Sequence, residues 1–280
     1  MPKPEDRIQW LIRKGLPKRH RNRGLDAWKF ATAENVVVSY PKCGRTWLRA
    51  ALTFYFAERY GIADPPLLEY ANLHYLDGRI PRIFFTHDEI YYGRAQRLTR
   101  DKTRYARKRV LLLVRDPRDA AVSLYFHRAK RERDLDVPLY EYMVGPERGL
   151  DQAIEFMNIW ADALRDLPNV HSFSYEVMHT DGAKCLAEAL RFFGEEPQLE
   201  AVEVAMDRAR FDRLRALEVR GSLRSGRLKA VDPDDPDSFK VRRGKVGGYI
   251  DYFDELERAE LDRVVQRSLS PFYGPILAGR

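Results

Sequence analysis

The chain has 280 residues, with 49 lysines and arginines against 42 aspartates and glutamates, a net charge of +7 and a 44% apolar fraction that includes 12% aromatics. That apolar content supports a packed core and excludes wholesale disorder, while two cysteines, Cys43 and Cys185, cannot form a disulfide framework and fit a reducing compartment. The longest apolar run, residues 110–114, falls far short of the ~18 residues of a membrane span, and early Glu5 and Asp6 with no apolar stretch behind them make no secretory signal, so a basic cytoplasmic α/β protein is expected.

In chain order, residues 1–30 read as a basic, solvated lead-in. Arg13, Lys14, Lys18, Arg19, Arg21 and Arg23 follow Trp10, Leu11 and Ile12, a composition that also suits weak contact with a membrane surface. Asn35–Ser39 is short, β-branched and apolar and predicts a strand. Residues 46–60 place Leu48, Leu52, Tyr55 and Phe56 near helical spacing. Residues 82–86 and Arg109–Val114 read as further strands, and 170–175 as a fourth; continuous apolar runs of this kind suit strands buried on both faces of a parallel sheet. Residues 117–130 open as a helix: Asp116 can cap, Pro117 sits where a missing N–H costs nothing, and Asp119 adds negative charge to the first turn. Helices are expected again at 151–164, 183–193, 200–208 and 254–268. The alternation implies right-handed βαβ units. The expected fold is one α/β domain over 1–280, P-loop-like and three-layered, with a central parallel sheet flanked by helices. Residues 221–248 break the rhythm: Gly, Ser, Pro, Asp and Arg dominate without periodicity, which predicts a lid or binding loop.

Chemistry concentrates where the first strand meets the first helix of the alternation. Ser39-Tyr40-Pro41-Lys42-Cys43-Gly44-Arg45-Thr46-Trp47 runs from strand into helix. A helix start offers free N–H groups and a positive dipole end to an anion; Gly44 permits close backbone approach, and Lys42, Arg45 and Thr46 add charge and a hydroxyl. It is not a nucleoside-triphosphate loop. Ser39 stands where the first glycine of that pattern belongs, Arg45 follows Gly44 in place of lysine, and the lysine lies two residues before Gly44.

Tyr40-Pro-Lys-Cys-Gly-Arg-Thr-Trp47 resembles the phosphosulfate-binding loop of sulfotransferases that use 3'-phosphoadenosine 5'-phosphosulfate (PAPS), a family that commonly has Pro-Lys-Ser/Cys-Gly-Thr-Thr-Trp. Arg45 replaces a hydroxyl residue of that pattern. Val114-Arg115-Asp-Pro-Arg-Asp-Ala-Ala-Val-Ser123 resembles the family's 3'-phosphate element, with Arg115 and Ser123 as its ligands, and Phe239-Lys-Val-Arg242-Arg243-Gly244 resembles its late Arg-Lys-Gly element, with Arg243 in place of lysine. The resemblance covers roughly residues 36–252 and keeps its three anchors in order. It implies that Lys42, Cys43, Gly44, Arg45, Thr46 and Trp47 form the loop around the 5'-phosphate, that Trp47, Tyr175 and Phe211 contact the adenine, and that Arg115, Ser123, Arg242, Arg243 and Gly244 hold the 3'-phosphate. Ala209 and Arg210 occupy places where hydroxyl residues often precede the adenine-stacking phenylalanine. Cys43 itself reads as a small packing residue, although a thiol near a helix start and Lys42 can be acidified.

The resemblance also implies the base. Phe84-Phe85-Thr86-His87 ends the second strand, and in the family a Thr-His at this point deprotonates the acceptor hydroxyl; imidazole is the side chain best poised for that near neutral pH. The family's cytosolic branch often has a lysine two residues earlier, where Phe85 stands here, so that cation is missing; Asp88 and Glu89 are placed to influence His87. The implied reaction is in-line transfer of a sulfuryl group from PAPS to a hydroxyl or amine, leaving adenosine 3',5'-bisphosphate (PAP), with His87 as base and Lys42 neutralising charge on the departing oxygen. No metal is implied: His20, His74, His127, His171 and His179 have no metal-ligand spacing. The acceptor stays open between a small molecule, a lipid and a glycan. Tyr91, Tyr92, Tyr125 and Phe126 would suit an apolar acceptor, and Arg128, Lys130, Arg131 and Arg133 an anionic glycan. Two rival readings are an ATP-dependent small-molecule kinase, with Asp116 as a magnesium ligand beside an unfavourable Arg115, and a non-enzymatic basic module for nucleic acid or acidic membranes. Neither accounts for a base, a lysine loop and two arginine elements together, so no nucleic-acid partner is expected.

Overall fold

The computed structural model describes residues 18–88, 98–146, 148–221, 223 and 228–278, with side chains from residue 24 onward. Four strands, β1 (Asn35–Ser39), β2 (Ile83–Thr86), β3 (Arg109–Val114) and β4 (Val170–Ser174), form a parallel sheet in the order β2-β1-β3-β4. β1 pairs with both neighbours, Val38 opposite Thr86 on one side and Ser39 opposite Leu113 on the other, and Val114 lies opposite Ser174. The consecutive apolar residues explain this. Val36, Val37, Val38, Leu111, Leu112 and Leu113 are fully buried, as central strands covered on both faces require. Because all four strands run the same way, Ser39, His87, Arg115 and Tyr175 emerge at one edge of the sheet, the edge where open α/β sheets bind ligands.

The helices are α1 (Lys18–Thr32), α2 (Arg45–Tyr60), α3 (Pro117–Phe126), α4 (Leu139–Val144), α5 (Gly149–Ala163), α6 (Tyr175–Thr180), α7 (Gly182–Phe192), α8 (Leu199–Arg208), α9 (Phe211–Arg220), α10 (Glu255–Ser268) and α11 (Tyr273–Leu277). α2 is buried along most of its length, including Leu48, Leu52, Phe54, Tyr55 and Phe56, and packs on α8. α3 starts as its sequence predicts: the Asp116 side chain accepts from Arg118 N, and Pro117 follows. It does not reach Lys130 as an α-helix. It ends at Phe126 and continues as a π-helical turn, His127–Glu132, closed by Arg133 at φ 56°. Such wide turns are frequent at functional sites.

One expectation about the N-terminal segment needs correction. Residues 1–30 are not uniformly a loose lead-in: α1 is a helix, and its partly buried Trp28 and Phe30 pack on the main core while Thr32 Oγ1 lies 2.6 Å from the Tyr70 hydroxyl. α9, also unforeseen, buries only Leu214 and Glu218, too thin an apolar stripe to register as a helical period. Residues 228–247 hold only a short 3-10 turn, Pro236–Ser238, in keeping with the loop expected there. The basic run 13–23 is not assigned: its first residues lie outside the described chain. No helix among the described residues is long and apolar enough to cross a membrane.

Candidate active site

The loop after β1 turns into α2 through two left-handed residues, Lys42 at φ 72° and Gly44 at φ 86°. Gly44 is required twice over: its φ disfavours any side chain, and a Cβ there would stand 2.7 Å from Cδ2 of Tyr175. As the N-cap of α2 it offers no side chain to the first N–H groups, which are left for an anion.

One cavity of about 1170 Å³ is lined by Lys42, Gly44, Arg45, Thr46, Trp47, His87, Arg115, Ser123, Tyr175, Phe211, Arg242, Arg243 and Gly244. The site residues named from sequence, Cys43 excepted, therefore surround a single space. Cys43 is buried, with Sγ 3.9 Å from Pro41 O, and burial pushes its thiol pKa up to about 12; the acidification considered for it is reversed, and only its backbone is left to serve a ligand.

At one end the cations converge. Arg115 donates through Nη1 to Lys42 O (3.2 Å) and through Nη2 to Lys245 O (2.9 Å), and its guanidinium carbon lies 4.2 Å from the Tyr175 ring centre. It also pairs with buried Asp119 at 3.4 Å. Burial first, then Arg242, Arg131 and Arg115, lower the Lys42 ammonium pKa to about 7. Burial and then Lys42, Lys240 and Arg131 lower His127 to about 3, so the π-helical turn presents a neutral imidazole. A cavity lined by Lys42, Arg115, Arg131, Lys240, Arg242 and Arg243 suits an anion.

The loop expected to be a lid is fastened at two places by buried carboxylates. Glu218 on α9 accepts from Lys240 N (2.7 Å) and Val241 N (2.8 Å) and pairs with Arg131 at 3.3 Å. Asp119 on α3 accepts from Gly247 N (2.8 Å) and Tyr249 N (2.9 Å). Between these points, Arg242 bonds Asp237 (3.0 Å) and the Tyr252 hydroxyl, and Arg243 bonds Asp251 (2.5 Å) and Tyr252 (2.9 Å). Gly244 has φ 60°, and a Cβ there would meet Phe211 Cδ2 at 2.5 Å. The carbonyl of Gly244 accepts from His179 Nε2 at 2.7 Å, and His179 forms an edge-to-face group with Trp47 and Tyr175 at 6.2 and 5.8 Å. Phe211, half exposed, lies against Gly244 and lines the same cavity.

At the other end stands His87. Its Nδ1 lies 2.9 Å from Ser39 O; a carbonyl only accepts, so Nδ1 carries the hydrogen and Nε2 keeps a lone pair. Arg45 Nη2 lies 2.5 Å from that Nε2. Asp88, at φ 51° and 2% exposed, anchors the turn after the base through Lys102 (2.6 Å), Arg104 (2.7 Å), Tyr105 Oη (2.6 Å) and Trp160 Nε1 (3.1 Å). Phe85 carries the Arg49 guanidinium 3.9 Å from its ring centre. Beyond them the cavity is walled by Phe30, Tyr70, Phe84 and Tyr105, with Asp26, Lys29, Glu69 and Arg104 among its charges.

The acceptor residues suggested from sequence do not gather here. Tyr125 and Phe126 pack in a second core cluster with Tyr142, Tyr249 and Phe253 and do not line the cavity. Arg128 pairs with Asp134 and Arg133 with Asp232, and of the four basic residues Arg131 alone lines the cavity. Tyr91, Tyr92 and Glu89 lie outside the described residues. Asp116, the metal ligand of the kinase reading, is held by Arg118 Nε at 2.9 Å and by Arg118 Nη2 at 2.5 Å. Among the described residues no group of His, Cys, Asp and Glu is arranged to hold a metal.

A glycine turn at a helix start, two arginine elements and a carbonyl-bonded histidine thus line one cavity at the ligand-binding edge of a P-loop-like α/β fold, the class of a group transferase. Residues 33–272 match the family described as the sulfotransferase domain. The chain is 26% identical to human sulfotransferase 6B1 over 268 residues, 89% of this chain and 80% of that one. Its fold matches a mouse sulfotransferase solved with PAP, at TM-score 0.60 and 20% identity over 88% of this chain and 87% of that one. It also matches retinol dehydratase solved with retinol and PAP, at TM-score 0.66 and 16% identity over 91% and 86%. The chain belongs to the sulfotransferase family, and it is a sulfotransferase.

Proposed function

We propose that the cavity binds PAPS with its 3'-phosphate at Arg115, Ser123, Arg242, Arg243 and Gly244 and its 5'-phosphosulfate at the start of α2, and that His87 receives the acceptor's proton. The observation that carries this is the span of one cavity from the Arg115–Lys42 junction to the Nε2 of His87. Gly44 and Gly244 leave room for the rings of Tyr175 and Phe211, which with Trp47 give the aromatic surface for adenine.

In this reading Thr46, Arg45 and the first N–H groups of α2 hold the 5'-phosphate. Lys42, whose ammonium pKa is lowered to about 7 by burial and then by Arg242, Arg131 and Arg115, gains full charge beside the departing phosphate oxygen. Ser39 O fixes the tautomer that leaves Nε2 as the acceptor. The chain supplies preorganised charge where charge develops, commonly the largest catalytic term. The acceptor is a small molecule bearing a hydroxyl or amine: aromatic Phe30, Tyr70, Phe84 and Tyr105 wall the space past His87, and retinol in the solved retinol dehydratase is an acceptor-sized alcohol. A single catalytic domain in the cytoplasm is the setting that fits these residues, with residues 221–248 as its nucleotide lid.

Calorimetry with PAP against adenosine 5'-phosphate tests the nucleotide site, and a screen of phenols, alcohols and amines with labelled PAPS tests the acceptor side. PAP binding much more tightly than adenosine 5'-phosphate is expected. Equal affinity for the two would remove the 3'-phosphate assignment.

A further inference from the structure

The base is not open as it stands. Nδ1 of His87 is committed to Ser39 O, so Nε2 is the one nitrogen with a lone pair, and the guanidinium of Arg45 caps it at 2.5 Å. That contact is incompatible with the proton transfer assigned to His87. Once Nε2 accepts a proton it has no lone pair left for Arg45, and two cations at that separation repel. Either His87 never serves as base, or Arg45 leaves it before the chemistry.

The same cavity supplies the reason to leave. Arg45 is the first residue of α2, beside the N–H groups that face the anion, and it lines the cavity together with Lys42 and Thr46. A phosphosulfate there offers charged oxygens in the geometry a guanidinium fork matches, a stronger partner than a neutral imidazole nitrogen. We propose that Arg45 is a co-substrate-operated lock on the base: it covers Nε2 of His87 in the free enzyme, moves onto the phosphosulfate when PAPS binds, and so uncovers the base only when the sulfuryl donor is in place. This rests on His87 being the base.

Two departures from the family pattern then explain one another. Phe85 occupies the place where relatives often carry a lysine beside the base, and Arg45 the place of a hydroxyl. Arg45 returns to the reaction centre the cation that Phe85 omits, and Phe85 instead supports Arg49 through a ring contact of 3.9 Å. In the reacting complex the acceptor O–H gives its proton to Nε2 while its oxygen bonds to sulfur. The bond from sulfur to the 5'-phosphate oxygen breaks, and its electron pair goes to that oxygen, against Arg45 and Lys42.

The test uses the whole chain without acceptor. Acylation of His87 by diethyl pyrocarbonate needs a free lone pair and is read by mass spectrometry of the peptide containing His87. A charge-assisted hydrogen bond hides that lone pair about tenfold to a hundredfold. Arg45→Thr, without nucleotide, is therefore expected to be modified at His87 at least about tenfold faster than the native chain, while His179 reacts equally in both. Equal rates at His87 would overturn the lock. Crystals of the native chain with and without PAP give a second reading that no variant can spoil by misfolding. The Arg45 guanidinium should lie on His87 without PAP and on the phosphate with it; a guanidinium still on Nε2 in the PAP complex would overturn the proposal. Arg45→Lys, which keeps the charge, should recover more turnover than Arg45→Thr at similar KM for the acceptor. If instead His87→Asn keeps full turnover, the base assignment fails, whatever Arg45 does.

Discussion

The two ends of the cavity are built in opposite ways. At the proposed phosphate end Arg115, Arg131, Arg242 and Arg243 are already tied to protein oxygen. Arg115 joins Lys42 O to Lys245 O, Arg131 joins Glu218 to the loop, and Asp119 and Glu218 each hold two loop amides. At the reacting end Nδ1 of the base meets the Ser39 carbonyl and Nε2 meets the Arg45 guanidinium. In the proposed function the first arrangement is a preformed anion socket and bears on affinity. The second sets a cation against the base and bears on rate.

The sharpest way to break that division is His87→Ala. Removing a general base lowers turnover by ~10²–10⁴-fold, while PAP affinity, measured by calorimetry, should stay nearly unchanged. A variant that loses PAP binding to the same extent would show that the reacting end also builds the socket. The converse change is Arg115→Ala. Its two carbonyl contacts and the Asp119 pair are lost together, and a charged hydrogen-bonding group of this kind is worth about tenfold to a hundredfold in affinity. The loss should fall on PAP and spare adenosine 5'-phosphate. Equal losses would place Arg115 in the loop's architecture alone.

How much of this was legible in the sequence follows the same division. Strands β1 and β3 were fixed to the residue by Asn35–Ser39 and Arg109–Val114, because a parallel strand buried on both faces leaves an unbroken apolar run. The cavity-lining anchors stood out because each motif is local, a few residues around Lys42, Arg115 or Arg242. The socket's fastenings were not legible. Arg131 meets Glu218 across 87 residues and Asp119 meets Gly247 across 128, and nothing in either local pattern marks the partner. Asp119 read as a first-turn charge for the α3 dipole, yet its carboxylate is spent on the loop. Arg45 read as a phosphate ligand only, because its distance to His87 depends on β1 and β2 pairing in register.

Glu218→Gln probes those fastenings directly. The buried carboxylate serves two amides and Arg131, and glutamine can replace one acceptor but not the charge. A buried group left short of its partners costs about 1–3 kcal/mol. The expected result is faster proteolysis in residues 228–247 and a several-fold weaker PAP complex, with turnover at saturating PAPS little changed. A drop in turnover at saturation, with the loop still protected, would join Glu218 to the reacting end.

The smallest effect comes from Lys42, whose pKa of about 7 in the free protein is set by burial and by Arg242, Arg131 and Arg115. A phosphate beside the ammonium favours its charged form and raises that pKa on binding. Below pH 7 Lys42 is already protonated in both states, and affinity is insensitive to pH. Above pH 7 the free enzyme loses a proton that the complex retains, so binding takes one up and weakens as pH rises. From pH 7 to 8 the protonated fraction of a group titrating near 7 falls about fivefold, and PAP affinity should fall with it. His127, held near 3, stays neutral throughout and contributes nothing to that slope. Calorimetry at pH 8 in buffers of different ionisation enthalpy should record close to one proton taken up per PAP bound, and Lys42→Met should abolish it. Uptake that survives in Lys42→Met would move the titration to another group and leave Lys42 charged in the free socket.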